Sequence, residues 1–171
     1  GLPSVSVWRR PKVAYFSTGD EILSLGEAPR EGAVYDSNRY TLFGMLTRLG
    51  FEVIDIGVVR DDPHTLEPTL RDAATRADAI ITRGGVSVGD EDHLPRLVRA
   101  AGGVLSVEKI AMRPGKPLVL GRLGGAVYLG LPGNPVASHV GWTLIGARLA
   151  ERLGGLTARP RGKLVVKTDF A

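Results

Sequence analysis

Asp90, Glu91 and Asp92 follow directly on a turn that carries Gly84, Gly85 and Gly89, within the stretch ADAIITRGGVSVGDED at 77–92. The apolar, partly β-branched run Ala79-Ile80-Ile81-Thr82 enters this turn as a buried strand, and a helical pattern leaves it. A strand, a glycine loop and a helix N-terminus together favour an anion, because backbone N–H groups point outward and the macrodipole attracts negative charge. Glycines permit positive φ and let a ligand approach the main chain closely. A loop suited to phosphate but bordered by carboxylates makes chemical sense when a cation, commonly Mg²⁺, stands between the two.

Residues of the same kind recur after other strand patterns. Ser17-Thr18-Gly19-Asp20-Glu21 ends the first. Asp20 and Glu21 can be ordinary turn formers, or ligands at the place where open α/β sheets gather them. In Arg60-Asp61-Asp62-Pro63, Asp62 suits a helix N-cap and Pro63 the first helical turn. Asp61 is left without a structural duty. Lys109, Arg113 and Lys116 surround a turn stiffened by Pro114 and Pro117, which is either a plain hairpin turn or a clamp for an oxyanion. Gly115-Lys116 is not a Walker A element, since the upstream glycine and the following Ser/Thr are missing. Leu131-Pro132-Gly133-Asn134-Pro135 forms another rigid loop ahead of a helix. His64 and His93 read as solvated or rim residues and His139 as a packing or interface residue.

A length of 171 residues suits one α/β domain with a little chain to spare at each end. The absence of cysteine excludes disulfides, thiolate zinc sites and a cysteine nucleophile. No apolar run approaches the roughly 18 residues of a membrane helix, and no signal-peptide core opens the chain, so a soluble, cytoplasmic protein without a membrane partner is expected. Acids number 18 against 22 bases, for a net charge of +4. The positive charges are scattered, which favours a small anionic ligand over nucleic acid.

The elements that must position these groups follow from periodicity. Residues 1–10 read as a lead-in, with Trp8 expected to pack on this domain or a neighbour. A strand is expected at 12–16. Asp36-Ser37-Asn38 offers caps for a helix whose inner positions are Leu42, Met45, Leu46 and Leu49, with Gly50 at C′. A strand at 52–59 precedes a helix with Leu66, Leu70, Ala73 and Ala74 inside. A third helix faces inward through Leu94, Leu97 and Val98. A strand is expected at 104–110, and a hairpin pairs 117–120 with 126–129. The last helix, 136–153, is expected to bury Val140, Leu144 and Ala147, with Ile145 beside them. The tail at 154–171, with a strand pattern at 163–167, reads as a linker into the truncated start of another domain. This alternation predicts a three-layer α/β/α domain with a largely parallel sheet and right-handed crossovers. Turns that follow parallel strands share one edge, so Glu21, Asp61, Asp92, the glycine loop, the PGKP turn and the LPGNP loop are expected around a single cleft.

In order and spacing, STGDE (17–21), YDSNRY (35–40), VVRDDP (58–63), TRGGVSVGDED (82–92), KIAMRPGKP (109–117) and GLPGNPV (130–136) resemble the catalytic domain of MoeA-type molybdopterin molybdenumtransferases, including that of gephyrin. The resemblance covers roughly residues 11–153. It implies a molybdopterin-binding, MogA/MoaB-like fold and the insertion of molybdate into adenylylated molybdopterin, assisted by Mg²⁺, with release of AMP. It also implies functional acids at Glu21, Asp61 and Asp92, with Asp61 and Asp92 on the metal. The implied substrate contacts are Thr18, Gly19, Gly84, Gly85, Ser87, Gly89, Lys109, Arg113, Lys116, Pro132, Gly133, Asn134 and Pro135. A MogA-like adenylyltransferase is the implied partner and a homodimer the implied state of the full-length protein, whose further domains this chain lacks. Two positions depart from the family's pattern: Arg83 replaces a small residue and Arg113 a lysine.

Three other readings share the fold: a MogA/MoaB-like molybdopterin adenylyltransferase, a CinA-like nucleotide pyrophosphatase and a non-catalytic scaffold module. A dinucleotide dehydrogenase is disfavoured, because no G-x-G-x-x-G follows the first strand.

Overall fold

The computed structural model describes residues 1–85, 93–157, 162 and 167. In chain order the elements are β1 (Lys12–Thr18), β2 (Ile22–Leu23), β3 (Val34–Tyr35), α1 (Ser37–Arg48), β4 (Glu52–Val59), α2 (Pro63–Arg76), β5 (Ala79–Arg83), α3 (His93–Ala100), β6 (Val104–Val107), β7 (Val119–Leu123), β8 (Ala126–Leu131), α4 (Pro135–Gly141), a π-helical turn (Trp142–Gly146) and α5 (Ala147–Leu153). The central sheet has six strands in the order β4-β1-β5-β8-β7-β6. β4, β1, β5 and β8 pair in parallel, and β7 joins β8 and β6 antiparallel on either side. This is the mixed α/β architecture with a largely parallel sheet that the alternation of patterns predicts.

Helices cover both faces, so the middle strands are buried on both sides and read as unbroken apolar runs. Ala14 and Phe16 of β1 enter one core with Leu66 and Leu70 of α2 and Leu94 and Val98 of α3. Val13 and Tyr15 enter the other with Leu42 and Leu46 of α1, Trp142 and Ala150. Local chemistry sets the helix ends as expected. The Asp36 carboxylate accepts from Arg39 N–H at 3.1 Å, and Gly50 takes φ 82° just past α1. The Asp62 carboxylate accepts from Thr65 N–H at 3.0 Å, with Pro63 in the first turn of α2.

Four expectations need correction or addition. β6 stops at Val107, because Ile110 N–H turns back to the Lys116 carbonyl at 3.0 Å and closes the PGKP turn. The hairpin strands run Val119–Leu123 and Ala126–Leu131, so the turn is the tight pair Gly124-Gly125. Between β1 and α1, Ile22–Leu23 and Val34–Tyr35 add a small parallel pair of their own. The inner face of the last helix is also different. Ala137, Ser138, Gly141, Trp142, Gly146 and Ala150 are buried, whereas Leu144 is 55% exposed. Its π turn shifts the helical phase, and a 3.6-residue period cannot be carried through it. Small residues face the sheet because the helix lies close to it: a Cβ on Gly141 would stand 3.1 Å from Leu118. A Cβ on Gly146 would lie 2.3 Å from the Trp142 ring.

The lead-in is tied to this body. Arg9 pairs with Asp78, which also accepts from Lys12 N–H at 2.8 Å. The Trp8 ring lies against Gly155, where a Cβ would come within 2.2 Å of it, although Trp8 stays 76% exposed. The strand pattern at 163–167 lies outside the described residues apart from its last position.

The corrected helix face separates two substitutions. Trp142→Ala should destabilise the protein by about 3–5 kcal/mol. Leu144→Ala should stay within roughly 0.5 kcal/mol of the parent. Urea unfolding followed by circular dichroism measures both, and a larger loss for Leu144→Ala would contradict the observed packing.

Candidate functional site

The C-terminal ends of β4, β1, β5 and β8 lie at one edge because the four strands run the same way. The chain leaves β1 toward α1 on one face and leaves β5 toward α3 on the other. Neighbouring strands whose connections diverge in this way open a crevice between them, the topological switch point where open α/β sheets take ligands. A cleft of about 570 Å³ stands there, lined by Thr18, Gly19, Glu21, Asp61, Gly84, Gly85, Pro114, Pro117, Pro132, Gly133, Asn134 and Ala137. A second, more polar hollow of about 570 Å³ shares Gly19 with it and extends past Asp20, Glu27, Arg30 and Arg60.

The two glycines are required by their neighbours. Gly84 has φ 85°, and a Cβ there would sit 2.1 Å from the Thr18 carbonyl oxygen. Gly85, at φ 60°, would place its Cβ 3.0 Å from Leu94. This pair lets the ends of β1 and β5 touch. Gly84 N–H is occupied by the Leu131 carbonyl at 3.2 Å, so it fastens β5 to the LPGNP loop and is not free to meet an anion. Ser87, Gly89, Asp92 and the adjoining Asp90 and Glu91 lie outside the described residues.

Asp61 and Glu21 both face the cleft. Burial pushes the Asp61 carboxyl above its ordinary value; Asp20 and Glu21 add to the shift, while His93 and the Thr18 hydroxyl partly offset it. Sequence reasoning assigned His93 to the rim and gave it no part in this electrostatic group. Asp61 Oδ1 and Thr18 Oγ1 are buried and have no well-formed hydrogen bond among the described residues. Two buried oxygens short of well-formed hydrogen bonds, beside a concentration of negative charge, suit a hard cation such as Mg²⁺, which takes oxygen ligands and tolerates few protein carboxylates. Among the described residues no three acids or histidines close on one point, and Asp92 is not among them. The Glu21 carboxylate folds over Gly19, where a Cβ would lie 2.6 Å from it.

On the opposite bank, Pro114 and Pro117 line the cleft while Lys109, Arg113 and Lys116 project from the same turn as exposed side chains. None of the three makes an ion pair or side-chain hydrogen bond among the described residues. Gly115 is buried at φ 106°, with room for no Cβ because Met112 Cε would be 2.5 Å away. Pro132, Gly133 and Asn134 form the remaining wall. The Asn134 side chain accepts from Ala137 N–H at 3.1 Å and so caps α4, with Pro135 in its first turn. Arg83 does not enter the cleft wall: it lies on the α1 side and bonds the Gly133 carbonyl.

These features coincide with relationships visible at whole-chain scale. Residues 14–151 match the family described as "Probable molybdopterin binding domain", and the chain belongs to that family. It is 41% identical over 157 residues to a molybdopterin molybdenumtransferase of Nostoc sp., an alignment covering 90% of this chain and 36% of that protein. The crystal structure of the molybdopterin biosynthesis MoeA protein from Pyrococcus horikosii superposes with a TM-score of 0.77 at 35% identity, over 86% of this chain and 36% of that one. A Thermus MoaB, at 21% identity and a TM-score of 0.64 over 85% of this chain and 97% of its own, shares the fold. The chain thus spans little more than a third of the molybdenumtransferase it matches.

Two measurements probe the cleft without a ligand. Gly84→Ala combines a left-handed backbone with a collision against main chain, and should cost about 2–4 kcal/mol in urea unfolding. Asp61 binds its proton more tightly folded than unfolded, so its contribution to stability falls as pH rises through the carboxylate range. Asp61→Asn in metal-free buffer is therefore expected to gain stability over the parent as pH increases toward neutrality. A gap between the two that is flat or shrinks with rising pH would refute the reading of a destabilised carboxylate.

Proposed function

We propose that this chain is the catalytic domain of a molybdopterin molybdenumtransferase. It holds adenylylated molybdopterin along the C-terminal edge of the sheet while molybdate enters the pterin dithiolene and AMP departs. The observation that carries this reading is the convergence of Thr18, Glu21, Asp61, the Gly84-Gly85 turn and the LPGNP loop on one cleft. The identity to a named molybdenumtransferase over most of the chain supports it. The two adjoining hollows suit a bipartite ligand, with a nucleotide and a pterin joined by a phosphoanhydride.

In this reading the residues divide the work by chemistry. The glycine turn, with Ser87 and Gly89, borders the phosphates and lets them approach the main chain. Asp61 and Asp92 would hold Mg²⁺, with Glu21 and the Thr18 hydroxyl at its margin. A bound Mg²⁺ supplies charge neutralisation at the phosphoanhydride oxygens. Lys109, Arg113 and Lys116 attract molybdate to the bank opposite the acids, and the Arg113 guanidinium offers a fork for its oxygens. The proline-stiffened LPGNP loop, through Pro132, Gly133, Asn134 and Pro135, keeps the far wall in place. The dithiolene sulfurs belong to the pterin, so a chain without cysteine can perform the insertion.

The same reading sets the protein's surroundings. A MogA-like adenylyltransferase supplies the adenylylated pterin, residues 154–171 lead into a further domain, and the whole protein acts as a cytoplasmic homodimer. No helix among the described residues is long and apolar enough to cross a membrane, which is compatible with that setting.

Titrating the chain with adenylylated molybdopterin, with and without Mg²⁺, tests the assignment. Binding is expected to require the cation, and Asp61→Asn should lose that requirement together with at least about tenfold in affinity. Binding that ignores Mg²⁺ in the parent, or a variant as cation-dependent as the parent, would sink the proposal.

A further inference from the structure

Arg83 ends β5 one residue before the glycine pair, yet its side chain turns away from the cleft. It shares a strand face with Ala79 and Ile81, whose side chains pack in the α1 core, and only 8% of its side-chain surface is exposed. Its Nε donates to the Gly133 carbonyl at 2.9 Å, and Nη2 donates to the same oxygen. Asn38, in the first turn of α1, donates to that oxygen as well, at 3.3 Å. Nη1 stands 3.7 Å from Asp36 Oδ1, whose side chain is 1% exposed, and makes no hydrogen bond among the described residues. Three N–H groups from two elements thus converge on one carbonyl.

Stability alone explains this poorly. A buried guanidinium with an unbonded N–H and a long ion pair carries a desolvation cost that an apolar side chain of similar volume would avoid. What the arrangement does fix is a direction. In a trans peptide the carbonyl and the following N–H point opposite ways. Pulling the Gly133 oxygen toward α1 therefore turns the Asn134 N–H away from α1, and Gly133 and Asn134 both line the cleft. Gly84 N–H holds the same loop from its other end through Leu131.

We propose that Arg83 is a positioning residue: by gripping the Gly133 carbonyl behind the cleft, it aims the Asn134 amide at the anionic part of the ligand in front. Naming that ligand as adenylylated molybdopterin rests on the functional reading above, whereas the loop geometry does not. The arginine thus acts at second hand, touching no ligand atom and setting the orientation of one that does.

The test compares the parent chain with Arg83→Met and Arg83→Lys by two readouts. One is the dissociation constant for adenylylated molybdopterin, measured by calorimetry. The other is the ¹⁵N order parameter of the Asn134 amide in the ligand-free protein. Arg83→Met is expected to weaken binding by about tenfold or more, the scale of a lost charge-assisted hydrogen bond, measured well below its unfolding midpoint, which falls because the Asp36 carboxylate is left buried without its cation. Its Asn134 order parameter should fall from about 0.85 toward 0.6. Arg83→Lys keeps one donor without the fork and should recover part of both. Parental affinity together with an unchanged order parameter in Arg83→Met overturns the proposal, as does a melting loss that alone accounts for the weaker binding. If Arg83→Met does not fold, Arg83→Lys decides on the same two readouts. If the parent does not bind the adenylylated pterin, the functional reading fails by itself, and the order parameter decides the positioning role.

Discussion

Parallel pairing of β4, β1, β5 and β8 is the constraint on which the rest of this domain depends. It sends four strand ends to the same edge, so turns separated by scores of residues become neighbours without any contact of their own having to hold them. The carboxylates come from the ends of β1 and β4, the glycines from β5 and the proline loop from β8. Where β1 and β5 part toward opposite faces, the sheet opens, and the close approach of Gly84 to the Thr18 carbonyl keeps that opening narrow. A larger residue at 84 would push the two strand ends apart. The cleft is thus a property of strand direction, adjusted by one glycine.

Chemistry is divided across the sheet edge in a way that strand direction alone does not dictate. The front of the cleft gathers negative charge from Asp20, Glu21 and Asp61 on one bank. The exposed cations of the 109–116 turn stand on the other. Behind the cleft, on the α1 side, a separate polar group is buried among apolar neighbours: Tyr15 with Ser17 at 2.9 Å, Arg83 with Gly133, and Asp36 at the cap of α1. Burial raises the Tyr15 phenol well above its ordinary value, so the phenol stays neutral over the physiological range. The front is arranged to receive charge and the back to hold the loop that faces it.

Much of this was legible in the residues. Helix caps are local chemistry, and Asp36, Gly50, Asp62 and Pro63 all occupy the positions their types suggest. The buried strands stand out as apolar runs, and a run of strands alternating with helices leaves little choice of topology. What escaped depends on tertiary packing. The π turn after α4 breaks the period from which an inner face is read, and Gly141 and Gly146 make sense only against Leu118 and the Trp142 ring. Sequence order places Arg83 next to Gly84 and shows only that it departs from the family's small residue. Strand alternation sends it to the other face, and an arginine closing an otherwise apolar strand was the available signal. The role of Gly84 N–H was equally hidden, since its acceptor lies 47 residues later in the chain at Leu131.

The distribution of unsatisfied polar atoms gives the last link between folding and function. Native interiors rarely leave a buried polar atom without a partner, and such atoms call for a reason. Among the described residues four do so: Thr18 Oγ1, Asp61 Oδ1, Asp36 Oδ2 and Arg83 Nη1. Thr18, Asp61 and Arg83 stand at or next to the ends of β1, β4 and β5, and Asp36 caps α1 beside Arg83. The first two flank the mouth of the cleft and the last two stand behind its loop. Local choices that disagree with a stable fold collect at functional positions, because selection for a site overrides selection for stability there. Among the described residues, three of the four stand at or next to the strand ends of the cleft edge, which supports the reading of that edge as the working surface. The raised pKa of Asp61 follows from the same placement: burial withdraws the carboxylate from water, Asp20 and Glu21 add to the shift, and such a group is well placed beside a cation.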